Sequence, residues 1–302
     1  MELVKPGINI NFVGRLKYAI AFSVVLTIIC IISIFWKGLN YGIDFAGGTL
    51  VQIKFHKAAS ADEIRKVLNQ IGIDDSVIQP FGADEVIIRT AKSSTEIKSL
   101  SGKIEDSLNA AYGKDAFQVQ RVEVVGPKVG KDLTQKAILA VIFSWVGMLI
   151  YIAFRFEFRH AVGGLVGVVH DVIITVGVFS IFNIEFTLTI VAALLTIIGY
   201  SIHDTIVVFD RVRENVRKNT KKDLPTIMNE SINQTLSRTI LTSFTVVLVV
   251  AVLFFFGGAV IHDFAFALLV GVIFGTYSSV FIAAPVVLAW ENYKPSTLKK
   301  KK

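Results

Sequence analysis

The chain has 302 residues, of which 53% are hydrophobic and only 18% are charged. Soluble globular proteins contain about 25% charged residues, so the composition excludes an ordinary soluble enzyme. The mean hydropathy of +0.62 arises from separate apolar runs of about twenty residues, the length that crosses a hydrocarbon layer about 30 Å thick. The sequence therefore predicts an integral membrane protein.

The single cysteine, Cys30, lies inside the first apolar run. One cysteine can form neither an internal disulfide nor a zinc site built on several cysteines. No small residue stands where a signal peptidase would cut before Cys30, and residues 1–36 lack an Ala-x-Ala site. We therefore expect the first run to remain attached as a signal anchor.

Six apolar runs are long enough to cross a membrane. They lie at about Leu16–Trp36, Ala137–Phe154, Ala161–Phe182, Phe186–Phe209, Thr239–Phe256 and Phe264–Trp290. A long insert separates the first two runs, whereas the others follow one another closely. This spacing predicts a six-span helical bundle that carries one inserted domain.

Basic residues are distributed unevenly along the connections between these runs. They cluster before the first run, after the second, after the fourth and at the end of the chain, as Lys5, Arg15, Lys17, Arg155, Arg159, Arg211, Arg213, Arg217, Lys218, Lys221, Lys222, Arg238, Lys294 and 299–302. The short connections at 183–185 and 257–263 have none. The positive-inside rule then places both termini in the cytoplasm and the insert outside.

The predicted divisions follow from the spans and their orientation. They are the cytoplasmic N-terminus with the first span at 1–36, an extracytoplasmic domain at 37–134, the remaining bundle at 135–290 with a cytoplasmic loop at 210–238, and a basic cytoplasmic tail at 291–302. The net charge of +7 lies on the cytoplasmic side, because the insert has thirteen basic and thirteen acidic residues. The basic tail has no interleaved aromatic residues, so anionic lipid is a better partner for it than nucleic acid.

The insert alternates strand and helix patterns. The predicted elements are a strand at Thr49–Phe55, a helix from Ser60 to about Ile71, strands at Ser76–Phe81 and Glu85–Thr90, a helix at about Ser94–Tyr112, and a strand at Phe117–Val125. Ser60 and Glu63 have the spacing of a capping box. The order βαββαβ predicts a ferredoxin-like domain, with two helices on one face of an antiparallel sheet. Because no nucleophile with a base stands out, a binding or lever domain is favoured over a catalytic one.

Two glycine-rich motifs flank the insert, at Tyr41–Thr49 and Val125–Gly130. Their notable residues are Gly42, Asp44, Gly47, Gly48, Gly126, Pro127 and Gly130. Glycine permits backbone angles that other residues resist, and proline stiffens the chain. The motifs therefore indicate tight turns, and they are also compatible with a hinge between the insert and the spans.

Two aspartates lie within the predicted spans. Asp171 is near the middle of the third, and Asp204 lies about 8 Å inside the cytoplasmic end of the fourth. A charged aspartate at a helix centre costs about 2.5–3.5 kcal/mol, so such residues face the bundle interior and usually have a function. Helical spacing places other polar side chains beside them: His170 on the third span, Thr196, Tyr200, Ser201 and His203 on the fourth, and Thr242 and Thr245 on the fifth.

Arg238 enters the fifth span at nearly the depth of Asp204. A carboxylate beside a guanidinium has a paired state and a protonated state, and exchange between them can couple a proton to helix movement. The alternative is that Arg238 reaches the lipid headgroups while Asp204 is a structural hydrogen-bonding residue. The residues alone leave both interpretations open.

A third motif, Gly199–Asn215, crosses the end of the fourth span. Together with the two glycine motifs and the large insert after the first of six spans, it resembles the SecD/SecF family of bacterial protein-export membrane proteins, within the RND transporter superfamily. The resemblance covers essentially the whole chain. It implies Asn at position 203, where this chain has His203.

The resemblance implies a six-helix RND-like half that pairs with SecD and uses the proton motive force to promote preprotein export through the SecYEG channel. YajC, YidC and membrane lipids are further implied partners, and neither nucleic acid nor a cofactor is expected. In this family the residues at Asp204 and Arg238 are associated with proton transport, so H⁺ is the expected coupling ion. Asp171 is a second proton-relay candidate, for which no membrane Arg or Lys is placed as a partner.

Other functions are weaker alternatives. Neighbours on a helix point about 100° apart, so we expect none of the three His-Asp dipeptides, at 170–171, 203–204 and 262–263, to form a dyad. Neither metal-ligand spacing nor a serine and histidine on facing helices can be identified, which argues against a metal site and an intramembrane protease. An RND-type subunit that moves lipid or small molecules remains the main rival, although such exporters usually carry two bundle halves and large porter domains.

Overall fold

A computed structural model describes residues 9–56, 60–73, 76–81, 84–90, 97–113, 115–219 and 221–293. Lys5, Ser94 and the basic tail from Lys294 onward lie outside these ranges. The chain divides into two compact units. The membrane unit comprises residues 1–40, 139–184 and 189–302, and the inserted unit comprises 41–138 and 185–188.

The secondary structure follows the predicted order. In chain order the elements are α1 (Phe12–Trp36), β1 (Asn40–Tyr41), α2 (Ile43–Ala46), β2 (Gly48–Phe55), α3 (Ala61–Gln70), β3 (Val77–Phe81), β4 (Glu85–Thr90), α4 (Ile97–Tyr112), β5 (Phe117–Val125), α5 (Pro127–Arg155), α6 (Phe158–Phe182), β6 (Glu185–Phe186), α7 (Leu188–Lys218), α8 (Leu224–Phe256), α9 (Ala259–Ser278), a π-helical turn (Ser279–Ala283) and α10 (Ala284–Tyr293). In the described part of the chain, six helical segments are long and apolar enough to cross a membrane, which confirms the six predicted spans.

The helices extend beyond the apolar runs. Of residues 210–238, predicted as a loop, 210–218 and 224–238 are helical. The polar part of α7 is stabilised by Glu214, which forms ion pairs with Arg211 at 2.5 Å and Lys218 at 2.6 Å, at i,i+3 and i,i+4 spacing. A hydropathy pattern detects only the part of a helix that lies in lipid, so it misses this polar extension.

Close approach of small residues shapes the membrane unit. A Cβ atom at Gly177 of α6 would lie 2.2 Å from the Cβ of Cys30, and one at Gly271 of α9 would lie 2.3 Å from the Cδ1 of Ile197. Only glycine allows these helix contacts, in the manner usual for membrane helices. Half or more of the apolar stretch of α6, α7 and the last span is buried, whereas less than a fifth of that of α1, α5 and α8 is buried.

The inserted unit contains a four-stranded antiparallel sheet in the order β3-β4-β2-β5. With the helices α3 and α4 between the strands, this is the ferredoxin-like arrangement that the sequence predicts. One apolar core lies between this sheet and the two helices. It includes Val51 and Ile53 of β2, Ile64 and Leu68 of α3, and Ile104 of α4. That core gives the inserted unit its own source of stability.

The predicted capping box at the start of α3 is wrong in one respect. Ser60 occupies the N-cap position with an extended backbone, but its side chain makes no capping hydrogen bond. The backbone N–H of Glu63 donates to the carbonyl of Ser60 at 3.1 Å, so the helix begins without the predicted side-chain bond of Ser60.

Candidate functional site

Asp204 on α7 lies in a small polar cluster inside the membrane unit. Its side chain is buried, with 2% of the residue exposed, and its Oδ2 accepts a hydrogen bond from the Ser243 Oγ of α8 at 3.3 Å. Ser243 Oγ in turn accepts from Tyr200 Oη at 3.1 Å and from Thr276 Oγ1 of α9 at 2.7 Å. We call these four residues the Asp204 cluster; it joins three helices through one serine hydroxyl.

Asp171 on α6 forms a second cluster and is completely buried. Its Oδ2 accepts hydrogen bonds from Ser201 Oγ on α7 at 2.6 Å and from Ser278 Oγ on α9 at 2.7 Å. Its Oδ1 lies 3.1 Å from the His170 Nδ1. Hydrogen bonds of this kind replace the water that a buried carboxyl has lost, so the Asp171 cluster can hold either a charged or a neutral carboxyl.

The two clusters share helices α7 and α9. On α7, Ser201 lies one turn before Asp204, so one helix contributes to both carboxyl environments. On α9, Thr276 serves the Asp204 cluster and Ser278 serves the Asp171 cluster. The π-helical turn begins immediately after Ser278. Such turns occur frequently at functional sites, because they displace the side chains that follow from regular helical positions.

The expectation that none of the three His-Asp dipeptides forms a pair is wrong for two of them. Besides the contact between His170 and Asp171, the Nδ1 of His262 lies 3.0 Å from the Oδ1 of Asp263. The 100° separation applies to the Cα–Cβ bonds, whereas the imidazole and the carboxylate extend far enough to turn toward each other. In the described residues no group of three or more histidine, cysteine or acidic side chains is arranged to hold a metal ion.

The predicted pairing of Asp204 with Arg238 is not formed in this conformation. Within the part of the chain that the structure describes, no salt bridge joins the two side chains, although Arg238 and His203 both lie close enough to act electrostatically on Asp204. The side chains of Arg238 and His203 are exposed. Thr242 donates a hydrogen bond to the backbone carbonyl of Arg238 at 2.8 Å and does not contact the aspartate.

Sequence reasoning missed Ser243, Thr276 and Ser278. These hydroxyls lie on α8 and α9, far along the chain from the aspartates they contact, so helical spacing within one span could not reveal them. A usable signal was the run of polar residues at 276–279 in an otherwise apolar span. Ser201, which was predicted as part of the supporting polar face, contacts Asp171.

The two glycine motifs form a packed joint within the inserted unit. Gly47 and Gly48 have positive φ angles of 76° and 132°. A Cβ atom at Gly47 would lie 3.1 Å from the Cα of Pro127, and one at Gly130 would lie 2.7 Å from the carbonyl oxygen of Phe45. The glycines therefore serve as turn and close-approach residues, as the sequence suggests. A hinge at this joint stays a prediction.

The spanning helices contain buried carboxyls that bind hydroxyl groups, and they carry an inserted ferredoxin-like domain. These features place the chain in the class of polytopic membrane transport proteins. Comparisons with known proteins agree. Residues 103–293 match the family model of the protein-export membrane protein SecD/SecF C-terminal region, and residues 32–59 match the SecD/SecF GG motif.

Two relatives are named protein translocase subunit SecF. The protein of Magnetococcus marinus is 47% identical over 95% of this chain and 94% of its own length, and that of Pseudomonas aeruginosa is 44% identical over 96% and 93%. The crystal structure of SecDF from Thermus thermophilus, described as a translocon-associated membrane protein, matches with a TM-score of 0.87 and 38% identity. This match covers 97% of the chain and 40% of the SecDF chain. The chain belongs to the SecF family.

Proposed function

We propose that the chain is an accessory subunit of the Sec protein translocase, which works with SecD and uses the proton motive force to promote preprotein export across the cytoplasmic membrane. The names of its relatives and the SecDF structure support the translocase role and the association with SecD. The distribution of Lys and Arg supports cytoplasmic termini and an inserted unit on the outer side. SecYEG is the proposed channel, and YajC, YidC and anionic lipids are proposed as further partners from the sequence.

The observation that carries the proposal is the environment of Asp204. When the carboxyl is ionised, it can accept the Ser243 hydrogen bond and is attracted by the nearby Arg238 charge. When it is protonated, that attraction is lost and its own O–H can donate to Ser243. The Ser243 oxygen already accepts two hydrogen bonds, so it then exchanges one of them for the new one. Because Ser243 also binds Tyr200 and Thr276, a proton at Asp204 changes the contacts among α7, α8 and α9.

An exposed polar surface supports SecD as the covering partner. Thr196 and His203 on α7 and Arg238 and Thr245 on α8 are exposed, although both helices span the membrane. Polar and charged side chains within a bilayer face protein or a water-filled cavity and avoid lipid tails. A second bundle half that covers these residues would bring partner groups close to Asp204.

The membrane potential is large enough to drive such a cycle. One elementary charge that crosses the membrane releases about 2.3 kcal/mol per 100 mV. Loss of a single helix contact costs a similar or smaller amount, since hydrogen bonds between membrane helices average about 0.6 kcal/mol. A proton bound and released at Asp204 can therefore shift the balance between two helix arrangements.

The test is export into inverted membrane vesicles that contain Asp204→Asn together with SecD. Asparagine keeps the shape and hydrogen-bonding capacity but cannot titrate, so uncoupler-sensitive export should disappear while protein levels stay normal. Arg238→Lys should also impair export, because an ammonium lacks the planar fork of the guanidinium. Asp210→Asn is the matched control, since this exposed aspartate on the same helix pairs only loosely with Arg155 at 3.5 Å. Uncoupler-sensitive export at the normal rate in Asp204→Asn would contradict the proposal.

The rival function, transport of lipid or small molecules by an RND-type subunit, is not favoured. The relatives that match more than nine-tenths of the chain are named protein translocase subunits. These names describe a transport role, and we propose that the chain catalyses no enzymatic reaction.

A further inference from the structure

The short connection between α6 and α7, residues Glu185–Leu188, belongs to the inserted unit and not to the membrane unit. Ionic, hydrogen-bonding and aromatic contacts within the inserted unit hold it. Since Leu188 is the first residue of α7, these contacts act on the helix that carries Asp204.

The first contact is an ion pair between Arg89 and Glu185. Arg89 lies on β4 of the ferredoxin-like sheet, and its Nη2 is 3.1 Å from the Oε2 of Glu185. Only 9% and 12% of the two side chains are exposed, which distinguishes the pair from the exposed ion pairs elsewhere on this sheet. Arg89 also donates to the side chain of Gln79 on β3. Breaking a shielded pair by removing one partner leaves an uncompensated charge, so this contact resists separation.

The second contact caps a helix from a distant part of the chain. The Oδ2 of Asp44, in the first glycine motif, accepts a hydrogen bond from the backbone N–H of Leu188 at 2.8 Å. The first N–H groups of a helix have no partner within the helix, and a negative charge is favourable at that end. Asp44 therefore supplies α7 with an N-terminal cap from a distant part of the chain.

Backbone and aromatic contacts complete the attachment. The N–H of Gly42 donates to the carbonyl of Phe186 at 2.9 Å, and the Phe186 ring packs against Phe45 with the ring centres 5.9 Å apart. A Cβ atom at Gly42 would lie 2.7 Å from the Oε1 of Glu185 and 2.9 Å from the Cγ2 of Thr187. Glycine at position 42 thus allows the motif to lie directly against the connection.

We propose that residues Glu185–Leu188 form a latch that makes the start of α7 follow the inserted unit, with Arg89, Glu185 and Asp44 as the positioning residues of the transport cycle. The proposal deepens the proposed function and rests on it, because α7 also carries Asp204. Movement of α7 caused by proton binding reaches the inserted unit through the latch. By reciprocity, a force that displaces the inserted unit changes the proton affinity of Asp204.

The test is hydrogen exchange, measured by mass spectrometry on the full chain in complex with SecD. Asp44→Ala should accelerate exchange at the start of α7 about fivefold, the effect expected for a lost N-cap. Lys54→Gln removes an exposed ion pair on the same sheet and is the matched control; it should leave that exchange unchanged. A normal exchange rate at Leu188 in Asp44→Ala would contradict the capping role.

The coupling itself is tested with Asp204→Asn. In the otherwise unchanged protein, this substitution should alter exchange at least twofold in β4 and in residues 185–188. The response in β4 should vanish when Arg89→Gln is added, and should return with Arg89→Lys, which keeps the charge. A rigid brace without a role in coupling would give no response of β4 to Asp204. That result, or a response that persists in Arg89→Gln, overturns the proposal.

Two controls keep the interpretation unambiguous. Exchange in β2 and α4 reports whether Arg89→Gln still folds, and Glu185→Gln is the second variant if it does not. Failure of the proposed function looks different: Asp204→Asn would then support uncoupler-sensitive export, whatever the exchange pattern in β4 is.

Discussion

Replacement of Asp171 by alanine should destabilise the membrane unit by about 2 kcal/mol, because its carboxyl accepts hydrogen bonds from Ser201 and Ser278 and contacts the imidazole of His170. The bonds from Ser201 and Ser278 join α6 to other helices, and at about 0.6 kcal/mol each they give about 1 kcal/mol. The contact with His170 lies within α6 and adds about 1 kcal/mol, the usual value of one hydrogen bond. In Asp171→Ala the hydroxyl of Ser278 keeps an alternative acceptor, the carbonyl of Gly275 at 3.1 Å, which limits the loss.

Asparagine at position 171 should cost less than about 1 kcal/mol. Its carbonyl oxygen can accept from both serines, and its amide group can donate to His170 once the imidazole adopts the other tautomer. The stability order should therefore be aspartate, asparagine, alanine. Export should be reduced less by Asp171→Asn than by Asp204→Asn. Among the described residues Arg238 acts electrostatically on Asp204, whereas no Arg or Lys does so on Asp171.

Stability is measured by thermal unfolding of the purified full chain in mild detergent. Ser144→Ala is the matched control, because that hydroxyl bonds only to its own helix, at the carbonyl of Ala140. Equal stability of Asp171→Ala and the unchanged protein would show that the contacts of Asp171 do not stabilise the membrane unit. Equal destabilisation by asparagine and alanine would refute the assignment of its hydrogen bonds.

Three further predictions concern topology, the inserted unit and helix packing. A cysteine introduced at the exposed Lys66 should react with an impermeant reagent in intact cells, whereas a cysteine at Lys218 should react only after the membrane is opened. Labelling of the cysteine at position 218 in intact cells would disprove the predicted orientation. Residues 41–138 expressed alone should be soluble and show mixed helix and strand by circular dichroism, and Leu68→Ala should lower their unfolding free energy by about 2–5 kcal/mol; an unfolded spectrum would show that the unit needs its tethers. Gly177→Ala should weaken the contact of α6 with α1 and lower the unfolding temperature, and the additional substitution Cys30→Gly should restore part of the loss. Gly147→Ala is the control and should have no effect, because a Cβ atom there meets nothing within 4 Å. Equal effects of the two glycine substitutions would contradict the close approach of α6 and α1.

The spans and the inserted domain could be predicted because their signals are local. A run of apolar residues or an alternating strand pattern depends only on neighbours in sequence, and β4 and β5 begin and end where the pattern places them. The polar clusters could not be predicted in the same way. Ser243 and Asp204 meet because α7, α8 and α9 pack together, and no periodicity within one span records which faces come into contact.

The contacts of the latch could not be predicted from the sequence either. The sequence marks Asp44 as part of a motif and Glu185 as one residue in a short connection, but their contacts depend on how β4 and the glycine motif fold. Side-chain reach was a further source of error, since the three-dimensional length of histidine and aspartate allows neighbours to interact despite their angular separation. Local geometry alone therefore underestimates contacts between long polar side chains.

The most direct test of the central claim is to observe the protonation of Asp204 itself. Infrared difference spectra of the reconstituted complex with SecD, recorded after a pH jump, report the carbonyl stretch of carboxyl groups that gain or lose a proton. We expect a carboxyl band that disappears in Asp204→Asn and persists in Asp210→Asn. A spectrum unchanged by Asp204→Asn would show that this residue does not carry the transported proton.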